Sequence, residues 1–315
     1  MHTEQRIDVH HHYYPPVYLE AMKRVGGREG AGVAFPGVAQ WTPSRTLEEM
    51  DRHGVTTAIL SLSPPGPRML DRAGNRSLAR ACAEYGAGLI ERYPGRFGLF
   101  APTPMPRIDD TLEEITYALD VLKADGVALM TSYGDKWLGD PLFDPVLSEL
   151  NRRRALVYVH PLAAPCSLDL MPWVPDPLIE YPHDTSRAIL SLMFSGSLTR
   201  YPDIRFIFCH AGGTIPMLAG RINHSGSNRP FLTRVPKGID YELRKLYYDI
   251  ALAAFKPSLA ALFAYVPISQ VLLGSDYPFS SIGLSLEGLE EMNLGRGDLE
   301  AIYFSNAERL IPRMS

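Results

Sequence analysis

The sequence has few cysteines and no long hydrophobic run, and these absences exclude several classes of protein. Only three of its 315 residues are cysteines, Cys82, Cys166 and Cys209, and they lie in different segments. Such spacing indicates neither a disulfide framework nor a cysteine-based zinc knuckle. No apolar run approaches the ~18 residues of a membrane span, and the opening MHTEQRIDVH does not resemble a secretory signal. We therefore expect a soluble, cytoplasmic protein without membrane contact.

An excess of charge of either sign is also missing. Lysine and arginine total 31 residues against 35 aspartates and glutamates, which gives a net charge of −4 and an isoelectric point near 6.1. The basic residues are scattered singly, so no surface suited to nucleic acid or an anionic membrane is predicted. Hydrophobic residues make up 46% of the chain, which is enough for a large core. A small molecule is the expected partner.

Eight short apolar runs alternate along the chain with segments of helical periodicity. Each run is continuously apolar, which is typical of a strand buried on both faces in a parallel sheet. The runs are residues 7–9, 55–62, 97–102, 126–130, 155–160, 204–210, 246–252 and 270–276, and clear helical segments are residues 77–94, 111–124 and 144–154. Eight such units predict a single (β/α)8 TIM-like barrel that forms one domain over residues 1–315.

A doubly wound parallel sheet is the alternative fold. It usually carries a G-x-G-x-x-G turn after a strand, and no strand here is followed by one. Two stretches lie outside the repeat, the Gly-rich residues 26–43 and the Pro-rich residues 161–182. Because long connections in a compact domain are frequently functional, we expect both to form lid loops at the C-terminal rim of the barrel.

The stretch RIDVHHHYYPP, residues 6–16, places three histidines at the end of the first predicted strand. Side chains two residues apart on a strand face the same way, so His10 and His12 can bind one ion while His11 points away. Later strands end in His160, His210 and Asp276. Any one of these groups alone is more typical of a structural hydrogen bond or a turn. Together on one rim they predict a divalent metal site with an open coordination position.

Four segments carry a resemblance to a known family, in the same order along the chain. They are IDVHHHYYPP, VYVHP, DTSRAILSLMFSGSLTRYPDIRFIFCHAGGTIP and GSDYPF. They resemble the amidohydrolase superfamily, within it the branch of aminocarboxymuconate semialdehyde decarboxylase and of the resorcylate, dihydroxybenzoate, carboxyvanillate and methylsalicylate-type decarboxylases. The long third segment, residues 184–216, resembles this branch rather than the superfamily at large.

The resemblance implies roles for particular residues. His10, His12, His160 and Asp276 match the metal ligands, and His210 matches the neighbouring general acid/base. Asp276 is also implied as the group that delivers a proton to the carbon that loses CO2. Several aromatic-acid decarboxylases of the branch have Glu where this chain has His10, so on that point the chain is more similar to the aminocarboxymuconate and methylsalicylate-type enzymes.

The fourth predicted strand indicates how many ions the site holds. Binuclear relatives place a carboxylated Lys or a Glu at the end of this strand, but GVALMTSYG, residues 126–134, contains neither. We therefore expect one divalent ion. Three imidazoles and one carboxylate suit zinc best, and manganese is the alternative.

Candidate substrate-binding residues are arginines and aromatic residues. A carboxylate substrate requires counter-charge, and arginine supplies it with two parallel hydrogen bonds. Arg221 matches a position from which a relative lends an arginine to its neighbour's site in a dimer, and Arg45 lies near another substrate-binding arginine of the family; either can equally be a solvated surface residue. Aromatic candidates to contact a planar ring are Tyr13, Trp41, Trp173 and Tyr277, with core packing as the alternative for each.

The sequence therefore predicts a metal-dependent, non-oxidative decarboxylase. Its substrate would be an aromatic, salicylate- or resorcylate-like acid or an unsaturated one, with no organic cofactor and a homodimer or higher homo-oligomer as the assembly. One alternative keeps the metal site and activates water to hydrolyse a lactone or amide or to hydrate a double bond, because fold does not separate these reactions. A catalytically silent barrel that serves as a scaffold is the other. No role is predicted for His183 or His224.

Overall fold

The parallel strands form where the sequence is continuously apolar. The computed structural model describes residues 5–168, 170–226, 232–311 and 313. Its strands are β1 (Ile7–His12), β2 (Thr57–Ser61), β3 (Phe97–Pro102), β4 (Gly126–Met130), β5 (Ser132–Tyr133), β6 (Lys136–Trp137), β7 (Leu156–His160), β8 (Arg205–Phe208), β9 (Tyr247–Asp249) and β10 (Val271–Leu272). All eight predicted strands are confirmed, and only the β5–β6 hairpin was not expected.

Eight of these strands form one parallel sheet that closes on itself. Its order is β1-β2-β3-β4-β7-β8-β9-β10, so each strand pairs with its neighbour in the chain once the hairpin is set aside. The amide of Val9 donates to the carbonyl oxygen of Leu273 at 3.0 Å, and the amide of His12 donates to that of Tyr277 at 2.8 Å. These bonds join the first strand to the residues around the last one. The predicted TIM-like barrel is therefore confirmed.

Helices cover the outside of the sheet and connect its strands. They are α1 (Pro16–Val25), α2 (Gly27–Gly30), α3 (Pro36–Ala39), α4 (Pro43–Arg52), α5 (Arg72–Arg92), α6 (Ile108–Thr116), α7 (Asp144–Arg152), α8 (Asp176–Phe194), α9 (Ser197–Arg200), α10 (Ile215–Gly226), α11 (Ile239–Arg244), α12 (Lys256–Tyr265), α13 (Ile282–Glu290), α14 (Arg296–Glu300) and α15 (Asn306–Leu310). Side-chain caps begin several of them; Asp71, for example, accepts from the amide of Gly74 at 2.7 Å before α5. No helix in the described ranges is both long and apolar enough to cross a bilayer.

Two apolar clusters lie on the two faces of the sheet. The inner cluster fills the barrel and includes Val9, Ile59, Phe100, Tyr158 and Ile207. Residues of α15 belong to it as well, and Arg205, the first residue of β8, donates to the Leu310 carbonyl at 3.0 Å. Helix α15 therefore covers the end of the barrel where the strands begin, and the opposite end remains for a site. The outer cluster packs the strands against the surrounding helices.

A β-bulge in β1 determines which side chains enter the barrel. Asp8 is opposite Ala58 and His11 is opposite Leu60, so β1 has one more residue than β2 between these two pairs. Val9 belongs to the inner cluster, yet the next residue, His10, also faces inward, since its ring lies 5.4 Å from that of Tyr158. The extra residue therefore moves His10 and His12 to the inside.

The two expected lid loops are more ordered than predicted. Residues 26–43 form short helical turns, α2, a 3-10 turn at Ala31–Ala34 and α3, and Phe35 of this segment packs on Phe279 with ring centroids 5.1 Å apart. In the second stretch, the described irregular part ends at Pro175, where α8 begins and runs through Pro182. The prediction of loop structure for residues 176–182 is therefore wrong.

Candidate metal centre

Four polar side chains meet at the open end of the barrel. His10 and His12 end β1, His160 ends β7, and Asp276 follows β10. All four are buried, and one ligand atom from each lies within 4.8 Å of the others. The Oδ1 atom of Asp276 lies 2.9 Å from Nε2 of His12 and 3.2 Å from Nε2 of His10. The structure therefore brings together the four residues expected to bind a metal, which we call the central cluster.

The outer nitrogen of each imidazole is held by an oxygen that accepts a hydrogen bond. Nδ1 of His10 lies 3.0 Å from the Asp249 carboxylate, that of His12 lies 3.3 Å from the Ser61 carbonyl oxygen, and that of His160 lies 2.7 Å from the Pro161 carbonyl oxygen. Carboxylate and carbonyl oxygens only accept, so each Nδ1 carries the proton and each Nε2 presents a lone pair. This is the tautomer that a metal-binding histidine requires.

The inward-facing atoms have no adequate partners of their own. Nε2 of His10 and Nε2 of His12 lie 3.2 Å apart, although neither carries a proton in the tautomer just described. Among the described residues, Nε2 of His160 and Oδ1 of Asp276 have no hydrogen-bond partner. Buried polar atoms are rarely left in this state. A cation between them satisfies all four at once, so the residues present fit a divalent metal ion.

His210 lies beside the cluster rather than within it. Its Nε2 is 3.5 Å from Oδ2 of Asp276, and its ring centroid lies 5.0 Å from that of His10. Neither of its ring nitrogens has a hydrogen-bond partner among the described residues. Oδ1 of Asp276 thus faces the histidines of β1 and Oδ2 faces His210. This position suits the exchange of a proton between Asp276 and His210.

Burial and neighbouring charges shift the pKa values of the cluster residues in different directions. Burial lowers the pKa of His160 well below its usual value, and the neighbouring histidines lower it further. Burial also lowers the pKa of His12. For His10 the effect of burial is outweighed by the carboxylates of Asp249 and Asp276, so its pKa is raised. The opposing effect of burial on Asp276 is likewise outweighed, chiefly by His10, and the pKa of this carboxyl is lowered well below its usual range.

The backbone is strained at two of the site residues. His210 has φ of 53° and Asp276 has φ of 65°, in the left-handed region that costs a non-glycine residue about 1–2 kcal/mol. Hydrogen bonds hold both, because the His210 amide donates to Asp249 at 3.1 Å and the Asp276 amide donates to the His10 carbonyl at 2.9 Å. Such strain is typical of functional sites.

Glycines in the HAGG segment allow the close packing that positions His210. A Cβ atom on Gly213 would lie 2.0 Å from the Pro182 carbonyl oxygen, and one on Gly212 would lie 2.5 Å from the ring of Tyr248. Both residues also have positive φ. Any larger side chain would therefore displace α8 or β9 and move His210 with them.

His11 lies outside the site. Nδ1 of His11 is 2.9 Å from the Asp8 carboxylate, and its ring stacks on that of Tyr277 with centroids 4.8 Å apart. His11 therefore points away from the central cluster, as expected. The stacking occupies one face of the Tyr277 ring, and the role of Tyr277 in substrate binding stays a prediction.

The other aromatic predictions need correction. Tyr13 is fully buried and donates to the Cys82 carbonyl oxygen at 2.9 Å, because the residue after an inward-facing His12 must face the outer helices. Trp41 packs against Tyr13 in the same core, with ring centroids 6.5 Å apart. Trp173 is 92% exposed and covers no site within this chain. None of the three lines the central cluster.

The two predicted arginines lie on the surface. Arg45 is exposed and donates to the Gln40 side chain at 2.6 Å. Arg221 is exposed on α10. His183 is exposed, with Nδ1 2.6 Å from the Ile179 carbonyl oxygen, and His224 is exposed on α10. Within a single chain the structure brings none of these residues to the cluster.

Three residues near the site were missed from sequence. Asp249, in LYYDIAL, was passed over as part of a strand, although an acidic residue at a strand end is the same signal as His160 or Asp276. Phe279 packs edge-on against His12 at 5.9 Å, and Tyr181 against His160 at 6.2 Å. These rings supply the apolar surface that a planar ligand requires. Tyr181 was not identified because residues 161–182 were predicted to form a loop, whereas α8 already begins at Asp176 and fixes the position of this ring.

The chain matches a family model and proteins of known activity. The family model described as Amidohydrolase matches residues 7–313. The decarboxylase yanB of Aspergillus niger is 38% identical over 326 residues, which cover 98% of this chain and 88% of that protein. The 6-methylsalicylic acid decarboxylase of Penicillium expansum is 38% identical over 283 residues, covering 87% of this chain and 85% of that protein.

Solved structures show the same fold. A crystal structure named amidohydrolase II superposes with a TM-score of 0.88 at 29% identity, covering 98% of this chain and 99% of the other. A dihydroxybenzoic acid decarboxylase from Polaromonas, with bound manganese and the inhibitor 2-nitroresorcinol, superposes with a TM-score of 0.84 at 20% identity, covering 98% and 97%. Both superpositions cover almost the whole of this chain.

Proposed function

The chain belongs to the amidohydrolase family and is a decarboxylase of it, and we propose that it removes CO2 from a salicylate-type aromatic acid with the help of one divalent metal ion. The observation that carries this proposal is the convergence of three imidazole nitrogens and one carboxylate oxygen within 4.8 Å. Relatives at 38% identity that are named decarboxylases, one of them for 6-methylsalicylic acid, support the substrate class.

The proposed metal ligands are Nε2 of His10, His12 and His160 and Oδ1 of Asp276. Three nitrogens and one oxygen suit zinc, which is our first choice, and the manganese in the Polaromonas enzyme supports the alternative. When bound, the ion supplies positive charge that attracts and orients an anionic substrate. A single ion is proposed because β4 ends in Met130, which offers no ligand to bridge a second one.

The chain's own residues carry the proton in this proposal. Asp276 donates a proton to the ring carbon that holds the carboxylate, and two π electrons of the ring form the new C–H bond. The C–C bond then breaks, its electron pair returns to the ring, and CO2 leaves. His210, 3.5 Å from Asp276, restores the proton.

The same chemistry explains why no organic cofactor is proposed. An aromatic ring with a hydroxyl group next to the carboxylate stabilises the positive charge that protonation creates. The ring therefore accepts and returns the electron pair by itself, which is the task of a cofactor in other decarboxylases.

The activity is tested by measuring CO2 and product together. Purified protein of known metal content is incubated with 6-methylsalicylate, salicylate and 2,6-dihydroxybenzoate. We expect one equivalent of CO2 per phenol formed, and in D2O a phenol with one deuterium at the carbon that held the carboxylate. Hydrolysis of a lactone or hydration of a double bond without CO2 release would establish the alternative reaction of this metal site. A protein with no stoichiometric metal would overturn the metal-dependent reading.

A homodimer is the proposed assembly, supported by exposed apolar side chains. The apolar patch consists of Leu170, Met171, Trp173, Leu178 and Met217, all exposed. Four of these residues lie just before α8 or in its first turn, and Met217 lies on α10; Ser186 of α8 and Thr214, just before α10, share a hydrogen bond of 2.8 Å. Large exposed patches of this kind often mark interfaces. Arg221, also on α10, would then approach the neighbouring subunit's site.

Sedimentation velocity tests this assembly. We expect the wild type to sediment as a dimer and the Trp173→Ser variant to shift toward monomer. Val121→Ser, which changes an exposed valine elsewhere, is the control and should leave the dimer intact. A wild type that is monomeric at tens of micromolar would exclude the proposal.

We also propose a cytoplasmic location, which the three free cysteines support and cell fractionation tests.

A further inference from the structure

One arginine that the sequence did not single out lies at the same end of the barrel as the central cluster. Arg68 follows β2 and is partly buried. Its Nε donates to the Pro65 carbonyl oxygen at 3.0 Å. Among the described residues, no carboxylate lies within ion-pair distance of its guanidinium group. Arg45 and Arg221, in contrast, are exposed. A guanidinium group without an acidic partner is free to pair with a ligand that supplies the negative charge.

The loop that carries Arg68 is fixed by a buried tyrosine. The hydroxyl of Tyr18 donates to the Ser63 carbonyl oxygen and accepts from the Gly66 amide, both at 2.9 Å. The Arg68 amide in turn donates to the Gly66 carbonyl oxygen at 2.9 Å. Tyr18 itself is fully buried. The base of the Arg68 side chain is therefore held in place, while the two terminal nitrogens of its guanidinium group stay available for a ligand.

The surroundings of Arg68 connect it with the central cluster. It lines a cavity with Leu62 after β2, Thr103 after β3, and Met130 at the end of β4. Met130 is directly opposite His160 in the sheet. The cavity is therefore one strand away from a proposed metal ligand, at the rim where the strands end. Its lining is mainly apolar, which strengthens any ionic contact made within it.

The positive charge of Arg68 also reaches phenols that border the site. Burial raises the pKa of Tyr181, whose ring packs against that of His160, and the charge of Arg68 opposes this rise. The same opposition applies to Tyr133, which lines the Arg68 cavity. Tyr181, on α8, packs against His160 at the end of β7 and provides a flat surface for an aromatic ring.

We infer that Arg68 binds the carboxylate of the substrate and is the residue that gives this site its affinity for aromatic acids. This inference rests on the proposed function, because it assumes that the substrate is an anion bound beside the metal ligands. The planar guanidinium group forms two parallel hydrogen bonds with a carboxylate, and the fixed loop places it before the substrate arrives. Arg68 is a substrate-binding residue in this assignment and takes no part in proton transfer.

Steady-state kinetics of the metal-loaded enzyme test the assignment. We expect Arg68→Ala to raise KM for 6-methylsalicylate about 10- to 100-fold, the range for a lost hydrogen bond to a charged group, with an unchanged metal content. Arg68→Lys keeps the charge but not the planar fork, so an intermediate KM is expected. Arg24→Ala, which removes an exposed arginine of α1 without an assigned role, is the control and should keep KM within twofold of wild type. An equally small change in Arg68→Ala would overturn the assignment.

A binding measurement separates this inference from the proposed function. Isothermal titration of salicylate into metal-loaded wild type and variants reports affinity without turnover. If the wild type binds salicylate, Arg68→Ala does not, and no CO2 is released, the proposed reaction fails while the role of Arg68 stands. If CO2 is released and the loss of Arg68 changes neither affinity nor KM, the role of Arg68 is excluded. If Arg68→Ala does not fold, Arg68→Lys decides, and wild-type affinity with wild-type KM in that variant counts against the assignment.

Discussion

Carboxylates lie in two very different surroundings in this molecule, the central cluster and the outer helices. On the outside, arginines and acids of α5, α6, the turn after α6, and α7 pair with one another; this outer charge cluster consists of Arg72, Arg76, Arg80, Asp110, Glu113, Glu114, Asp120, Glu149, Arg152 and Arg153. Arg80 and Glu114, for example, share two hydrogen bonds of 2.6 and 2.9 Å. In the central cluster, lone pairs face one another instead.

The difference shows how each region contributes to the protein. In the outer charge cluster every charge has an opposite partner, so the group is complete without a ligand and contributes modestly to stability. In the central cluster the partners are on the far side of each imidazole, and the near side lacks a counterpart among the described residues. The central cluster is therefore suited to binding a cation and is less stable when empty, which is typical of a functional site.

The largest effect on metal affinity is expected when a proposed ligand of the central cluster is removed, compared with the removal of a carboxylate in the outer charge cluster. His160→Ala should lower metal affinity by about a hundredfold or more, since even a group that only supports a ligand contributes 10- to 100-fold. Activity should fall with the metal content. Glu114→Gln, at a site equally buried in the outer charge cluster, is the control and should keep full metal occupancy. Elemental analysis of both proteins checks this, and a fully loaded His160→Ala would contradict it.

Asp276→Asn tests whether the central carboxylate differs from the outer ones in carrying a proton. The amide preserves shape but cannot donate to carbon, so kcat should fall by about 10²- to 10⁴-fold, the usual contribution of a general acid. Kinetics at saturating metal separate this loss from weaker binding of the ion. A kcat within tenfold of wild type, with metal present, would show that another group delivers the proton.

Asp249→Asn and Asp8→Asn compare two buried carboxylates that each hold a histidine. Asp249 holds His10, which faces the cluster, and Asp8 holds His11, which does not. We expect Asp249→Asn to weaken metal binding 10- to 100-fold. Asp8→Asn should weaken it much less, because Asp8 contacts the backbone amide of His10 and not its ring, although both variants lose stability. Competition with a chelator measures the affinity. Equal losses in the two variants would mean that the effect is general destabilisation.

Glu149→Gln gives the smallest expected effect and tests the outer charge cluster alone. Arg152 and then Arg153 hold the pKa of Glu149 at about 2, below its usual 4.5. A lowered folded-state pKa means that the stabilisation is present above pH 4.5 and is lost as pH falls toward 2. Because the group is partly exposed, we expect a loss of about 1 kcal/mol or less at pH 7. Urea unfolding at several pH values should show the gap closing toward pH 3, and a gap that widens would refute the sign.

Much of the fold could be predicted because a strand that is buried on both faces has a continuously apolar sequence. The runs at residues 97–102 and 126–130 match β3 and β4 at both ends. The last three barrel strands end at Phe208, Asp249 and Leu272 and are shorter than their apolar runs, which extend to the left-handed residues His210, Leu252 and Asp276. Those conformations are imposed by tertiary hydrogen bonds, so the sequence does not show where they occur.

The central cluster was predictable for a similar reason, and the substrate contacts were not. Strand ends place His160 and Asp276 at one rim whatever the details of the loops. Their role as metal ligands stays a prediction. Tyr13 lies in the core and Trp173 on the surface, which the sequence does not show because aromatic residues suit a core, a surface contact and a binding site equally well. Arg68 was missed because the absence of an acidic partner becomes visible only in three dimensions.

The seam between β1 and the residues after β10 has a consequence for how the protein folds. Ser275 donates to Asp8, 267 positions away in the chain, and Asp276 meets His10 at the same seam. Contacts of such large sequence separation form late, because a long loop must be closed first. A nascent chain that ends before Asp276 contains all three imidazoles but lacks the fourth group. The growing polypeptide therefore completes the central cluster only when the end of the barrel sheet joins β1.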